Sequence, residues 1–267
     1  MKSITSHIIY ATSLLFFSAA VLADGQVLYA SGNVALYRGT QAMRVTTGTV
    51  VQSGDAFSTG ANGIVRWKMS DGSYYALNNN TQMRVEKYKM PTATEPPSTG
   101  RVLLRLFKGA MRTATGFIGK RNPDGWKLNT PTATLGVRGS TLITVVDPET
   151  GDTSAKFTEG SGYMTTNAGG GSGSGGADGT EGQGGPEGTT VEMQTGETYG
   201  ATQDGTVGQS ETAQATITQT EQNSSEAFTE PLSTGDPDAP GSTTQSDANQ
   251  GTTQDQSAPI IEGDSVQ

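Results

Sequence analysis

From Asp24 to about Glu86 apolar and polar residues alternate in short runs, with a turn signal every eight to twelve residues. That spacing predicts an all-β architecture. Val27 and Tyr29 alternate with polar neighbours before Ser31-Gly32-Asn33, and Val34 and Leu36 lead to Arg38-Gly39. Val50-Val51 runs into Ser53-Gly54-Asp55, and Thr59-Gly60-Ala61-Asn62-Gly63 is a further turn cluster. Ile64–Met69 and Tyr74–Leu77 flank Asp71-Gly72, a pairing that marks a hairpin with a two-residue loop. In that register Met69 faces Tyr74 and Lys68 faces Tyr75. Trp67, Met69 and Tyr74 then share a core face, and Arg66, Lys68 and Tyr75 share the other.

Lys89 to Gly100, with Pro91, Pro96 and Pro97, reads as an exposed loop, and Arg101 to Gly109 as a strand. Leu135 to Val146 is rich in β-branched residues and predicts one strand with sheet on both sides, with Pro131 at its start. Asp147 to Asp152 is a turn, and Ala155 to Met164 predicts one more hairpin. Gly169 to Gly188 is flexible-coil chemistry, Thr190 to Tyr199 a last strand across it, and Gly200 to Gln267 a disordered acidic tail. At the other end, Lys2, the apolar run Ile8 to Ala20 and Val21-Leu22-Ala23 have the form of a cleaved signal peptide. The run is shorter than the roughly 20 residues that span a bilayer, so no lasting membrane anchor is expected. The expected organisation is therefore a signal peptide at 1–23, a β domain at 24–168, a linker at 169–189, a possible last strand at 190–199 and a tail at 200–267.

Charge sharpens that division. Residues 24–168 carry sixteen basic and ten acidic groups, whereas residues 169–267 carry sixteen acidic groups and no basic one. A cationic body is followed by an anionic extension. The chain has no cysteine, and its one histidine is His7 in the leader. Disulfides, thiol or Ser-His-Asp nucleophiles and Cys/His metal sites are thereby excluded from the mature chain, and no cofactor is expected. A carboxylate pair for glycan hydrolysis is the chemistry left. Asp55 and Asp71 sit in glycine turns, however, and nothing in the spacing of the acids selects a pair. The protein is not expected to be an enzyme.

Candidate binding residues follow from charge beside aromatic or apolar neighbours. Arg66, Lys68 and Tyr75 on one hairpin face offer a cation–π surface suited to a carbohydrate or an anionic polymer, or simply a solvated sheet face. Arg138, in an apolar strand between Gly136 and Gly139, must meet either a carboxylate or carbonyls of its own domain, or an anionic ligand. The most basic segment is Arg101, Arg105, Lys108, Arg112, Lys120, Arg121 and Lys127. It suits a solvated surface, the acidic tail or an anionic glycan; nucleic acid is not expected as a partner of an exported protein.

Thr130-Pro131-Thr132-Ala133 followed by Gly136-Val137-Arg138-Gly139 resembles the signature of the FecR-like domain family, with Ser140 where that family usually has Thr. Gly54-Asp55 with Thr59-Gly60, Asp71-Gly72-Ser73, Gly109-Ala110-Met111-Arg112 and Glu159-Gly160 are similar to further family elements in the same order. The resemblance spans roughly residues 24–199. It implies an exported, non-catalytic β-rich domain, without choosing between sandwich, barrel and solenoid. In the best-known members the domain relays a signal from an outer-membrane iron–siderophore transporter to a cytoplasmic anti-sigma domain. This chain shows no such cytoplasmic part, so a free-standing periplasmic, secreted or cell-surface module is expected. It would bind an envelope protein or polysaccharide. The alternatives are a structural surface protein with an acidic spacer, an accessory component of iron–siderophore signalling and, last, a glycan-active enzyme.

Overall fold

The computed structural model describes residues 24–167 and 188–223. The expected signal peptide, residues 169–187 of the expected linker and the tail beyond 223 lie outside the described residues. Eight strands open the described residues: β1 (Gly25–Ser31), β2 (Val34–Arg38), β3 (Gln41–Arg44), β4 (Val50–Val51), β5 (Ala56–Thr59), β6 (Ile64–Met69), β7 (Tyr74–Leu77) and β8 (Gln82–Lys89). The long β9 (Arg101–Ala114) follows, then a one-turn helix α1 (Phe117–Arg121). Next come β10 (Trp126–Asn129), β11 (Ala133–Val137), β12 (Thr141–Val146), β13 (Thr153–Glu159) and β14 (Ser161–Thr166). The last elements are β15 (Thr190–Gln194), β16 (Thr198–Ala201), β17 (Val207–Gln209) and a helix α2 (Glu211–Asn223).

The strands form two layers that share β9. In the first sheet the order is β4-β1-β6-β7-β9-β12-β13-β16-β17, all antiparallel. In the second it is β3-β2-β5-β8-β9-β10-β11-β14-β15, where β9 and β10 run parallel. β9 changes layer at Gly109: Arg101 to Lys108 pair with β8, and Gly109 to Ala114 pair with β12. The alternation of buried and exposed residues, clearest in β6, points every second side chain into one shared core. Phe57 of the second sheet stacks on Trp67 of the first at 4.7 Å, and Trp67 on Tyr75 at 5.1 Å. Each such fully buried side chain contributes about 2 kcal/mol. The all-β expectation holds, as a two-layer arrangement.

Several local expectations are corrected. The β6–β7 loop has three residues, so Lys68 pairs with Tyr74 and Trp67 with Tyr75, one place from the expected register. The cause is local. The Asp71 carboxylate accepts the Ser73 N–H at 3.0 Å, drawing Ser70 into the loop, and Gly72 takes φ +82° at its end. Because side chains alternate, a slip of one swaps the tyrosines: Tyr75 is buried and Tyr74 stands outside.

The stretch Leu135 to Val146 is two strands, not one, since β11 belongs to the second sheet and β12 to the first. Likewise β13 and β14 are not a hairpin: the chain crosses between layers at Gly160. Thr190 to Tyr199 also divides, into β15 of the second sheet and β16 of the first.

The body continues past the expected start of the disordered tail at residue 200, through β17 and α2. Ser210 caps α2 by accepting the Ala213 N–H at 3.3 Å, and Glu211 sits in the first turn, where the helix dipole favours an acid. The helix buries Ala213 and Ile217 on the outer side of the first sheet, against β12, β13 and β16. Lys156 donates to both oxygens of Glu221 at 3.1 Å and fixes its far end.

Candidate functional site

The residues of the family-like signature act as joints. The Thr130 N–H and Oγ–H donate to the Ala133 carbonyl at 2.8 and 2.9 Å, and the Thr130 hydroxyl accepts the Ala133 N–H at 3.0 Å. Thr132 and Thr153 share a buried hydroxyl contact of 2.8 Å, and Thr153 reaches Thr130 at 2.7 Å. Pro131 lies outside the strand, as expected, and its carbonyl accepts from the Asn167 amide at 3.1 Å. Across the corner, Ser140 Oγ accepts the Ser161 N–H at 3.0 Å and donates to the Ser161 carbonyl. Ser140 N–H donates to Thr115 Oγ1 at 2.8 Å. The hydroxyl that replaces the usual threonine is thus fully used in closing the corner.

Arg138 is not buried. It lies just past β11, and its guanidinium donates two hydrogen bonds to the Glu192 carboxylate of β15, at 2.9 and 3.1 Å. A close approach occurs two residues further back, at Gly136. A Cβ on Gly136 would lie 2.2 Å from the Tyr163 ring, so the ring covers that glycine rather than the guanidinium. Burial first, and the charge of Asp124 second, hold the Tyr163 phenol above its ordinary value. Val137 is fully buried in the core.

Asp71 and Gly72 also have structural work. The Asp71 carboxylate accepts the Ser73 hydroxyl at 2.8 Å, Ser73 Oγ accepts the Gly116 N–H at 2.8 Å, and the Asp71 carbonyl accepts the Phe117 N–H at 2.7 Å. The hairpin loop thereby holds the start of α1. Tyr88 Oη accepts the Asp71 N–H at 2.8 Å and lies 2.9 Å from Ser70 Oγ. Burial, then the nearby Asp71 charge, raise the phenols of both Tyr75 and Tyr88 well above the tyrosine range. Asp55, the other turn carboxylate, is buried and receives two bonds of 2.8 Å from Arg38, with a third from Gln52 N–H at 2.8 Å. The bond to Asp55 raises the Arg38 pKa.

Of the expected binding residues, Arg66 and Lys68 do share a surface. The outer side of the first sheet places Arg66 over the Tyr29 ring at 5.1 Å and Lys68 over the Tyr74 ring at 5.0 Å. Tyr29 and Tyr74 take the part assigned to Tyr75, which is buried. Tyr29 escaped notice because it pairs with β6 across a bulge in β1, which no alternation pattern reveals. Arg138 projects elsewhere, from the second sheet. The cation row continues across the strands, since Arg66 aligns with Ala76, Ala76 with Arg112, Arg112 with Ile143 and Ile143 with Lys156. Burial lowers the Arg112 pKa, with Glu159 and Glu221 opposing it. The α2 helix covers the Lys156 end and leaves the Tyr29–Tyr74 end open.

The described residues contain no cluster of three metal-ligating side chains, and none of their helices is long and apolar enough to cross a membrane. A shallow hollow of about 380 Å³ lies between the β15–β16 turn and α2, lined by Glu197, Thr198, Gln209 and Glu211, away from the aromatic patch.

Two crystal structures of a candidate anti-sigma factor from Parabacteroides distasonis are similar to the chain. They are 12% and 13% identical, with TM-scores of 0.40 and 0.41. Each likeness covers 58% of this chain and 58% of the other, so the chain spans little over half the length of those structures. No curated protein matches it in sequence. Residues 55–161 match the family described as FecR protein. That match runs from the buried Asp55 to the corner at Ser161 and includes the Asp71-Gly72 loop, the Thr130–Gly139 signature and the β9 bend. Residues 55–161 of this chain are thus similar to the FecR protein family over a little under half of its length.

Proposed function

We propose that this chain is an exported, non-catalytic FecR-domain binding module of the bacterial envelope. It holds a protein partner or cell-wall polymer on the outer side of the first sheet, at Tyr29, Arg66, Lys68 and Tyr74. The observation that carries the reading is the paired stacking of two cations on two tyrosine rings on one open sheet face. The stacked Lys68 ammonium keeps its charge for an acidic group. The rings supply flat apolar area at small entropic cost. The non-catalytic part is supported by how the buried carboxylates are used: Asp55 is held by Arg38 and Asp71 by Ser73. Both carboxylates are engaged within the fold. Export is supported by the leader-like sequence before Asp24.

Crosslinking of the full chain in its native envelope tests the proposal. A Lys68→Glu, Tyr74→Ala variant that folds normally should lose its principal crosslinked species. Unchanged crosslinks, or turnover of a glycan by the purified protein, would overturn it.

A further inference from the structure

We propose that the outer side of the second sheet is a separate docking surface for a linear acidic polysaccharide, laid along β8, β9 and β10. The choice of a polysaccharide rests on the exported placement proposed above; the surface itself does not. Alternation turns Arg84, Lys87 and Lys89 of β8 outward, with Arg101, Leu103, Arg105 and Phe107 of β9 and Lys127 of β10. The registers bring like charges face to face: Arg84 aligns with Arg105, and Lys89 with Arg101. Directly opposed like charges destabilise a sheet, so a face with no anion to hold would favour an acid in each pair. The acids on this side are too few to balance it. Glu86 takes Arg105 at 2.5 Å and Glu95 takes Lys89 at 2.8 Å. Among the described residues Arg84, Lys87, Arg101 and Lys127 form no ion pair.

Between the cations lie apolar steps. Leu103 aligns with Lys87 on one side and Lys127 on the other, and Phe107 is 42% exposed. Outward side chains recur roughly every 7 Å along a strand, and neighbouring strands are about 4.8 Å apart. Such a grid offers Arg84, Lys87, Arg101 and Lys127 to carboxylates of an extended polymer, and Leu103 and Phe107 to the apolar faces of its rings. No helix among the described residues covers this side, since α2 packs on the first sheet. Among the outward residues of β8, β9 and β10 Phe107 is the one aromatic ring, and a single ring is a poor platform for stacked bases, which argues against single-stranded nucleic acid along these strands.

The test uses the full chain and polygalacturonate, with methyl-esterified polymer, duplex DNA and anionic phospholipid vesicles as comparisons. Polygalacturonate should bind at 50 mM salt and weaken by about tenfold or more at 200 mM, while the esterified polymer does not bind. The charge-reversal pair Arg84→Glu, Lys127→Glu should weaken binding at least about tenfold, and the milder Arg84→Gln, Lys127→Gln about threefold. Lys68→Glu with Tyr74→Ala should leave it unchanged, which separates this surface from the first-sheet patch. The proposal is overturned by any of four results: no binding at 50 mM salt; equal binding by folded reversal variants; loss with the Lys68/Tyr74 variant instead; or DNA or vesicles held as tightly as polygalacturonate.

Discussion

Arg138 and Glu192 meet through two hydrogen bonds, 2.9 and 3.1 Å long, although 54 positions separate them in the chain. One belongs to the FecR signature and the other to β15, beyond the matched residues 55–161. The pair joins the corner after β11 to the strand that follows residues 168–187, across β14. Both side chains are about half exposed, at 52% and 53%, so water screens the attraction. Arg138→Ala should therefore cost no more than about 1 kcal/mol, and less in high salt. Urea unfolding of the two single variants and the double variant checks this. A coupling above about 2 kcal/mol would mean the pair is far better shielded than its exposure implies.

Asp55 contrasts with that pair. It is fully buried, accepts both bonds from Arg38 and also holds the turn through Gln52 N–H. Asp55→Ala would strand the Arg38 guanidinium and a turn amide together. A loss of about 3 kcal/mol is expected, toward the low end for a broken buried pair because Arg38 itself is part exposed. Arg38→Ala should cost a similar amount, and the double variant less than the sum. Thermal unfolding of the three variants decides it.

These two carboxylate pairs mark what sequence could and could not show. Turn residues declared themselves, because Asp71-Gly72, Ser31-Gly32 and Gly54-Asp55 restrict the backbone locally, and the strands between them followed. Which strands pair was not local. Leu135 to Val146 has the composition of one continuous strand, yet the Ser140 hydroxyl bonded to Ser161 turns the chain from one sheet into the other. The register of β6 with β7 turned on a single Asp71–Ser73 bond, and with it the choice between Tyr74 and Tyr75 for the surface. Lys68 and Arg66 were found because a cation on an alternating strand needs no partner to be recognised as outward. Tyr29 was missed because a bulge shifts its register. Arg138 was misplaced for want of its strand end, and α2 was missed because only two buried apolar residues, Ala213 and Ile217, mark its inner face and give almost no helical periodicity.

That sparse helix carries its own prediction. Thirteen residues are too few for a stable helix in water, so α2 depends on Ile217, Ala213 and the Lys156–Glu221 contact. Ile217→Asp should release it while the sheets stay folded. Limited proteolysis should then cut after about residue 210, and far-UV circular dichroism should lose a helical contribution of that length. If the variant instead unfolds entirely, α2 is part of the same cooperative unit as the sheets.

Alkaline pH tests the buried loop. Burial and the Asp71 charge raise the Tyr75 and Tyr88 phenols, so both stay protonated in the folded state where an unfolded tyrosine begins to ionise near pH 10. Below that pH the folded and unfolded chains bind the same phenolic protons, and the groups add no pH dependence. Above it the unfolded chain releases protons that the folded one retains. Stability should then fall by up to about 1.4 kcal/mol per pH unit for each phenol, until the folded-state value is reached. Tyr75→Phe should remove one share of that slope at little cost near neutrality, since the hydroxyl accepts a long 3.4 Å bond from Trp126. Tyr88→Phe should also flatten the slope, but with a loss near neutrality of about 1 to 2 kcal/mol, because the Asp71 N–H then has no acceptor. Tyrosinate absorbance followed beside unfolding reads both. If Tyr75 ionises near pH 10 in the folded protein, the loop that carries Asp71 is open to water and its hold on α1 is weaker than its bonds suggest.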